Sequence, residues 1–235
     1  MNFHTNSSGE SLIALCTAGV LESVSEAWSS RKSAHIVITG GRTGLSIVKA
    51  IDQDLFKLVR LKSAFEGCML HIWFSDERFT SLDDPDRNDT VLISGFGLCK
   101  SQLVFHRVDA DGDLEEAARS YAAEIDSELG ERPFDAVVLS MGEDGHIASL
   151  FPGLFAADFT GAALAVHNSP KAPPLRVSIS LTRLANASKI FVFALGEAKA
   201  AALQSIATGP VGALAKSSPN GQLEILTDLP APTNA

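Results

Sequence analysis

The chain reads as an α/β protein: a Rossmann-like, open, mainly parallel sheet with helices on both faces. Three observations predict it. Short apolar runs rich in β-branched residues alternate with segments of helical periodicity, the order expected of βαβ units. Phe134 to Ser140 is apolar almost without alternation, as a strand is when helices cover both faces of its sheet. Gly40-Gly41 and Gly142-Glu143-Asp144-Gly145 follow directly on two of the runs, where open α/β sheets place their ligands.

Ser11 to Trp28 carries Leu12, Leu15, Cys16, Val20, Val24 and Trp28 at helical spacing and is read as a first helix. His35 to Thr39 is a short strand, and Leu45 to Val59 an amphipathic helix. Met69 to Ser75 is the second strand, followed by a polar segment from Asp76 to Asp89. Leu103 to Val108 is a third strand, and the Ala- and Glu-rich stretch Leu114 to Leu129 is a helix beginning beside Asp113. After the strand Phe134 to Ser140 comes a loop with Pro170, Pro173 and Pro174. Arg176 to Leu181 and Lys189 to Leu195 are then strands, Glu197 to about Ala207 a helix and Leu223 to Leu226 a last strand, before a frayed tail from Pro230 to Ala235.

No repeat, low-complexity tract or linker interrupts the 235 residues, so residues 1–235 are expected to form a single domain. A net charge of −9 argues against nucleic acid as a partner, because neutralising phosphates needs a surplus of Lys and Arg. It leaves open a small anionic substrate, which feels only the local field of its pocket. Cys16, Cys68 and Cys99 are odd in number, widely spaced and set among apolar residues. They read as buried free thiols in a reducing compartment rather than as metal ligands. With neither a signal or transit sequence nor a membrane-length apolar run, the expectation is a cytoplasmic protein with no membrane partner, as monomer or homodimer.

Five segments carry the chemistry. Thr39-Gly40-Gly41-Arg42-Thr43-Gly44 joins a strand to a helix, and such a turn can offer a nest of amides and a helix N-terminus to an anion. The Arg42 guanidinium and Thr43 hydroxyl could add contacts. The segment is neither a Walker loop nor a dinucleotide fingerprint, and a plain turn is its bland alternative. Asp76-Glu77-Arg78 closes the second strand; two acids and an arginine leaving a buried strand are costly unless they face a polar cleft or pair with one another. Asp83, Asp84, Asp86 and Asp89, like Asp109 to Asp113, lack the glycine and terminal glutamate of a calcium loop and read as solvated turns. Asp144-Gly145-His146 ends a buried strand with a carboxylate and an imidazole together, which suggests a general base and its orienting group. A metal there would lack further His or Cys ligands at usual spacing, and no Gly-x-Ser-x-Gly elbow offers a serine nucleophile. His35, His71 and His106 fall in strands and read as structural. Arg176 opens a late strand and Lys199 a late helix. With the glycine nest they could clamp a phosphate, arginine as a fork and lysine as a point charge.

In this order the segments resemble the 6-phosphogluconolactonases of the pentose phosphate pathway. The carrying residues are Gly40-Gly41-Arg42-Thr43; Asp76-Glu77-Arg78 with Asp84-Pro85-Asp86 and Asn88; Met141 to Gly153; Arg176-Val177-Ser178; and Gly196-Glu197-Ala198-Lys199. The related glucosamine-6-phosphate deaminases share the Asp-Gly-His turn, but they continue it differently from the Ser149-Leu150-Phe151-Pro152-Gly153 found here, and they end the second strand Asp-Glu-Tyr. Arg42, Gly44 and Arg87 depart from the Ser, Pro and Ser usual in the lactonases.

The resemblance implies hydrolysis of 6-phospho-D-glucono-1,5-lactone, with no metal and no organic cofactor. His146, Asp144 and Arg78 would be catalytic. Gly40, Gly41, Arg42, Thr43, Asp76, Glu77, Asn88, Gly145, Arg176 and Lys199 would bind the sugar or its phosphate. A deaminase or isomerase of amino-sugar phosphates is the rival reading; a non-catalytic sugar-phosphate sensor is a more distant one.

Overall fold

A computed structural model of the chain describes residues 1–61, 63–218 and 223–232. Its main sheet is built from β1 (Asn2–Thr5), β2 (Ser33–Ile38), β3 (Met69–Phe74), β5 (Leu103–His106), β6 (Ala136–Ser140), β9 (Ile190–Ala194) and β10 (Leu223–Thr227). A second, smaller sheet contains β4 (Asp76–Arg78), β7 (Ala163–Val166) and β8 (Arg176–Ile179). The helices are α1 (Gly9–Arg31), α2 (Gly41–Leu61), α3 (Asn88–Ile93), α4 (Leu114–Leu129), α5 (Leu181–Ala185), α6 (Ala200–Gln204) and α7 (Pro210–Ser217).

The main sheet runs in the order β1-β10-β9-β6-β2-β3-β5, and every neighbouring pair is parallel. It is open, with helices on both faces. Alternation along β2 shows why: Ile36 and Ile38 pack with α1 and α2, whereas Val37 between them packs with α4 on the other face. Strands buried on both sides must be apolar throughout, which accounts for the unbroken run at β6.

Local chemistry sets the helix ends. Ser8 caps α1 by accepting the Ser11 amide at 3.3 Å, and Lys32 in the left-handed region (φ 62°) stops it. Asp113 caps α4 through the Glu116 amide at 2.7 Å.

From β2 the chain proceeds to β3 and β5 on one side, and from β6 to β9 and β10 on the other. The gap between the ends of β2 and β6 is therefore the topological switch point, the crevice where open α/β sheets bind ligands. Thr39 is tied across it, its amide donating to Val138 O at 2.9 Å.

Several elements differ from expectation. Arg176 to Ile179 is a strand, but it runs antiparallel between β4 and β7 in the smaller sheet. Ser75 joins the sheets: its amide donates to Ile38 O at 3.0 Å, and its carbonyl accepts from Ile179 N at 2.9 Å. The polar segment 76–89 contains β4 and the start of α3. Asp89, read with the solvated turn, is fully buried between Arg87 (2.7 Å) and Arg107 (2.9 Å). Burial works against its charge, but the hydrogen bonds from those guanidinium groups hold its carboxyl below the usual range. The strands β1 and β7 and the helix α7 escape the periodicity, and the helix expected from Glu197 is a 3₁₀ turn, α6 and a second 3₁₀ turn. Of the tail, residues 230–232 have no regular structure, and residues 233–235 lie outside the described residues.

Candidate active site

The apolar strand β6 ends at Ser140, and the chain turns back at once. Gly142 N donates to His146 O at 2.8 Å and Gly145 N to Gly142 O at 3.0 Å. Gly145 sits at φ 86°, a conformation that favours glycine. The turn folds Asp144 against His146, whose Nδ1 is hydrogen-bonded to Asp144 Oδ1. A carboxylate accepts, so Nδ1 carries the proton and Nε2 keeps its lone pair. The imidazole side chain is 15% exposed, with the Phe151 ring 4.7 Å away, centroid to centroid. Burial favours neutral Asp144, but the hydrogen bond and charge of His146, with Lys171 nearby, hold its carboxyl below the ordinary value.

His146 lines a cavity of about 260 Å³ at the switch point, together with Gly40, Gly41, Asp76, Arg78, Asn88, Arg176 and Lys199. Across from the His turn, Gly40 and Gly41 lead into α2, with no acidic residue in its first turn. Gly40 is dictated by its neighbour, since a Cβ there would lie 2.0 Å from the Asn88 amide oxygen. Asn88 is held in turn, its Nδ2 donating to Asp76 O at 2.9 Å. Asp76 accepts from Ser149 Oγ at 2.6 Å and Ser75 Oγ at 3.1 Å, and lies 3.6 Å from Arg176 Nη1.

Arg78 reaches the cavity from β4. Its Nη1 donates to Asp86 O, and its buried Nε has no hydrogen-bond partner among the described residues. Lys199 Nζ contacts Ser140 Oγ at 3.2 Å, and burial lowers its pKa. Arg176 is buried as well. Its Nε donates to Pro173 O (3.2 Å) and its Nη2 to Lys171 O (3.1 Å) and Ala172 O (3.2 Å).

Not every residue singled out from the sequence reaches the cavity wall. Asp144 stands behind His146. Glu77 is fully buried, and its carboxylate is taken up by the amides of Arg78, Asn88 and Asp89, each at 2.8 Å. It therefore anchors β4 to the start of α3. Arg42 is exposed, and Arg42, Thr43 and Gly145 are absent from the lining. Conversely, Lys171, Ser140 and Glu143 line the cavity. Lys171 escapes the sequence pattern because a lone cation in a proline-rich loop has no periodicity to mark it.

Among the described residues, His35, His71 and Glu128 could bring ligand atoms within 4.8 Å of one another. They do not suit a metal. Trp73 Nε1 donates to His35 Nδ1 at 3.2 Å, which puts the His35 proton on Nε2, facing Ser33 Oγ at 3.0 Å. These rings stack in the sheet beside His106 and Trp73, away from the switch point.

The family model described as glucosamine-6-phosphate isomerases/6-phosphogluconolactonase matches residues 7–221. A 6-phosphogluconolactonase of Streptomyces coelicolor is 32% identical over 217 residues, spanning 85% of this chain and 80% of that protein. A solved 6-phosphogluconolactonase of Shewanella baltica shares the fold with a TM-score of 0.79 at 22% identity, covering 97% of both chains. A monomeric glucosamine-6-phosphate deaminase shares it at 0.70 and 18% identity, again over 97% of both. Among the described residues, no helix is long and apolar enough to cross a membrane.

Proposed function

The chain belongs to the glucosamine-6-phosphate isomerase/6-phosphogluconolactonase family, and from that premise we propose how its cavity hydrolyses 6-phospho-D-glucono-1,5-lactone to 6-phospho-D-gluconate, a step of the oxidative pentose phosphate pathway. The observation that carries the mechanism is an imidazole with its Nδ1 on Asp144, in the same cavity as the Gly40-Gly41 turn and Lys199.

His146 Nε2 takes a proton from water, and the water oxygen attacks C1 of the lactone. Asp144 keeps the ring in the required tautomer and favours the imidazolium that forms, as the orienting carboxylate of a catalytic triad does. Negative charge moves onto the C1 oxygen, where Arg78 supplies donors fixed in advance by β4 and Asp86. Collapse of this intermediate breaks the bond from C1 to the ring oxygen. The imidazolium returns its proton to that oxygen, giving an open-chain acid that ionises.

The phosphate sits against the amides at Gly40 and Gly41 and the start of α2, with Lys199 as a point charge and Arg176 Nη1 beside it. Holding the far end of the sugar there fixes C1 relative to His146, so binding energy remote from the reacting bond becomes orientation. Asp76 and Asn88 face the sugar hydroxyls. The three buried free cysteines suit the reducing cytoplasm, where we place the protein.

Two substrates test the assignment. The purified protein should speed lactone opening well above the spontaneous rate and release no ammonia from glucosamine 6-phosphate. Ammonia release without lactonase activity would mean that the rival chemistry occupies this site.

A further inference from the structure

Arg176 spends most of its donors on its own chain. Three of its contacts go to the carbonyls of Lys171, Ala172 and Pro173, and it is steadied by Asp76, itself held by Ser149. Ser169 closes the same loop, accepting the Lys171 amide at 3.2 Å and donating to Lys171 O at 2.8 Å. Lys171 is thus placed by its backbone, although its side chain is 46% exposed. Its Nζ stands 4.0 Å from Asp144 Oδ1, the same oxygen that holds His146 Nδ1. The carboxylate oxygen that holds the imidazole thus has an ammonium 4.0 Å away.

We propose that Lys171 is a positioning residue for the base: its ammonium, set on the Asp144 side by a loop whose backbone Arg176 ties, offsets the Asp144 charge and so tempers that carboxylate's pull on the His146 imidazole. The inference rests on His146 being the base. A carboxylate that orients a histidine also stabilises its protonated form, and a ring already protonated cannot take up a proton from water. A cation near the same oxygen weakens that pull and repels the imidazolium, while the Nδ1 hydrogen bond stays in place. The other charged groups around the cavity are Glu143 on the same turn, Asp76 and Arg78 on β4, Arg176 on β8 and Lys199 in the 3₁₀ turn after β9. The two lysines differ in role: Lys199 contacts Ser140 at the end of β6, whereas Lys171 lies on the Asp144 side.

The test is the pH profile of kcat/KM for the lactone in the wild type, Lys171→Met, Lys171→Arg and His146→Ala. Lys171→Met should move the acidic limb to higher pH by roughly half a unit, the scale set by one charge a few ångströms away in a water-like medium. KM at the alkaline plateau should stay within about twofold, since Lys171 is given no phosphate to bind. Lys171→Arg should restore the limb, and added salt should shrink the difference. An unmoved limb in Lys171→Met, with His146→Ala abolishing it, overturns this inference and leaves the base in place. A tenfold rise in KM with weakened inhibition by inorganic phosphate also overturns it, because Lys171 would then be a phosphate ligand. Wild-type turnover by His146→Ala overturns both the inference and the mechanism beneath it.

Discussion

Gly142 leaves no space for a side chain against His146: a Cβ at Gly142 would lie 2.1 Å from the imidazole Cε1 and 2.2 Å from Nδ1. The ring cannot yield freely, because Asp144 holds its Nδ1 and Phe151 lies against it. Gly142→Ala should therefore push the imidazole off its line to C1. Turnover should fall at least tenfold while thermal stability changes little, the turn being at the surface. Steady-state kinetics beside a melting curve check this, and an unaltered kcat would mean that the ring's placement is not critical.

Asp144→Asn tests the tautomer directly. An amide can donate to Nδ1 as well as accept from it, so the Nδ1–H form loses its advantage. A large share of the base's contribution, about 10²–10⁴-fold in all, should be lost from kcat. KM should hold, since Asp144 is outside the cavity wall.

Lys199→Ala should weaken phosphorylated ligands selectively. A hydrogen bond to a charged group is worth about 1.5–3 kcal/mol, or roughly 10- to 100-fold in affinity. KM for the phosphorylated lactone should rise by that factor, and glucono-1,5-lactone without phosphate should be treated as by the wild type. Equal effects on both lactones would place the phosphate elsewhere.

His35 predicts how the fold responds to acid. Burial and the neighbouring His71 charge lower its pKa to about 3 from 6.5. The unfolded chain therefore binds a proton between those values that the folded chain refuses. Stability should fall as pH drops from about 6.5 towards 3, at up to about 1.4 kcal/mol per pH unit from this residue. His35→Gln keeps an acceptor for Trp73 and removes the titration, so urea unfolding at pH 7 and pH 4.5 should show a smaller loss for the variant.

Much of the fold was legible because a doubly covered parallel strand leaves an unmistakable apolar run, and β2, β3, β6 and β9 fall where such runs do. The smaller sheet was not legible. Residues Asp76 to Arg78 are polar for the sake of the cavity and of α3, so nothing in their pattern signals a strand, and Arg176 to Ile179 reads the same whichever sheet it joins. At the site, Asp144 and His146 stood out because a turn unites them in sequence. Glu77 was misleading: a carboxylate beside a cleft reads as a ligand group, and only coordinates show three backbone amides consuming it. Lys171 depends on tertiary ties from Arg176 that no local pattern reveals.

The most direct measurement is single-site kinetics of His146→Ala on freshly made 6-phospho-D-glucono-1,5-lactone, with the spontaneous rate subtracted. The proposed mechanism predicts that kcat falls by about 10²–10⁴-fold while KM stays within a few-fold of the wild type. Turnover near the wild-type rate would contradict it.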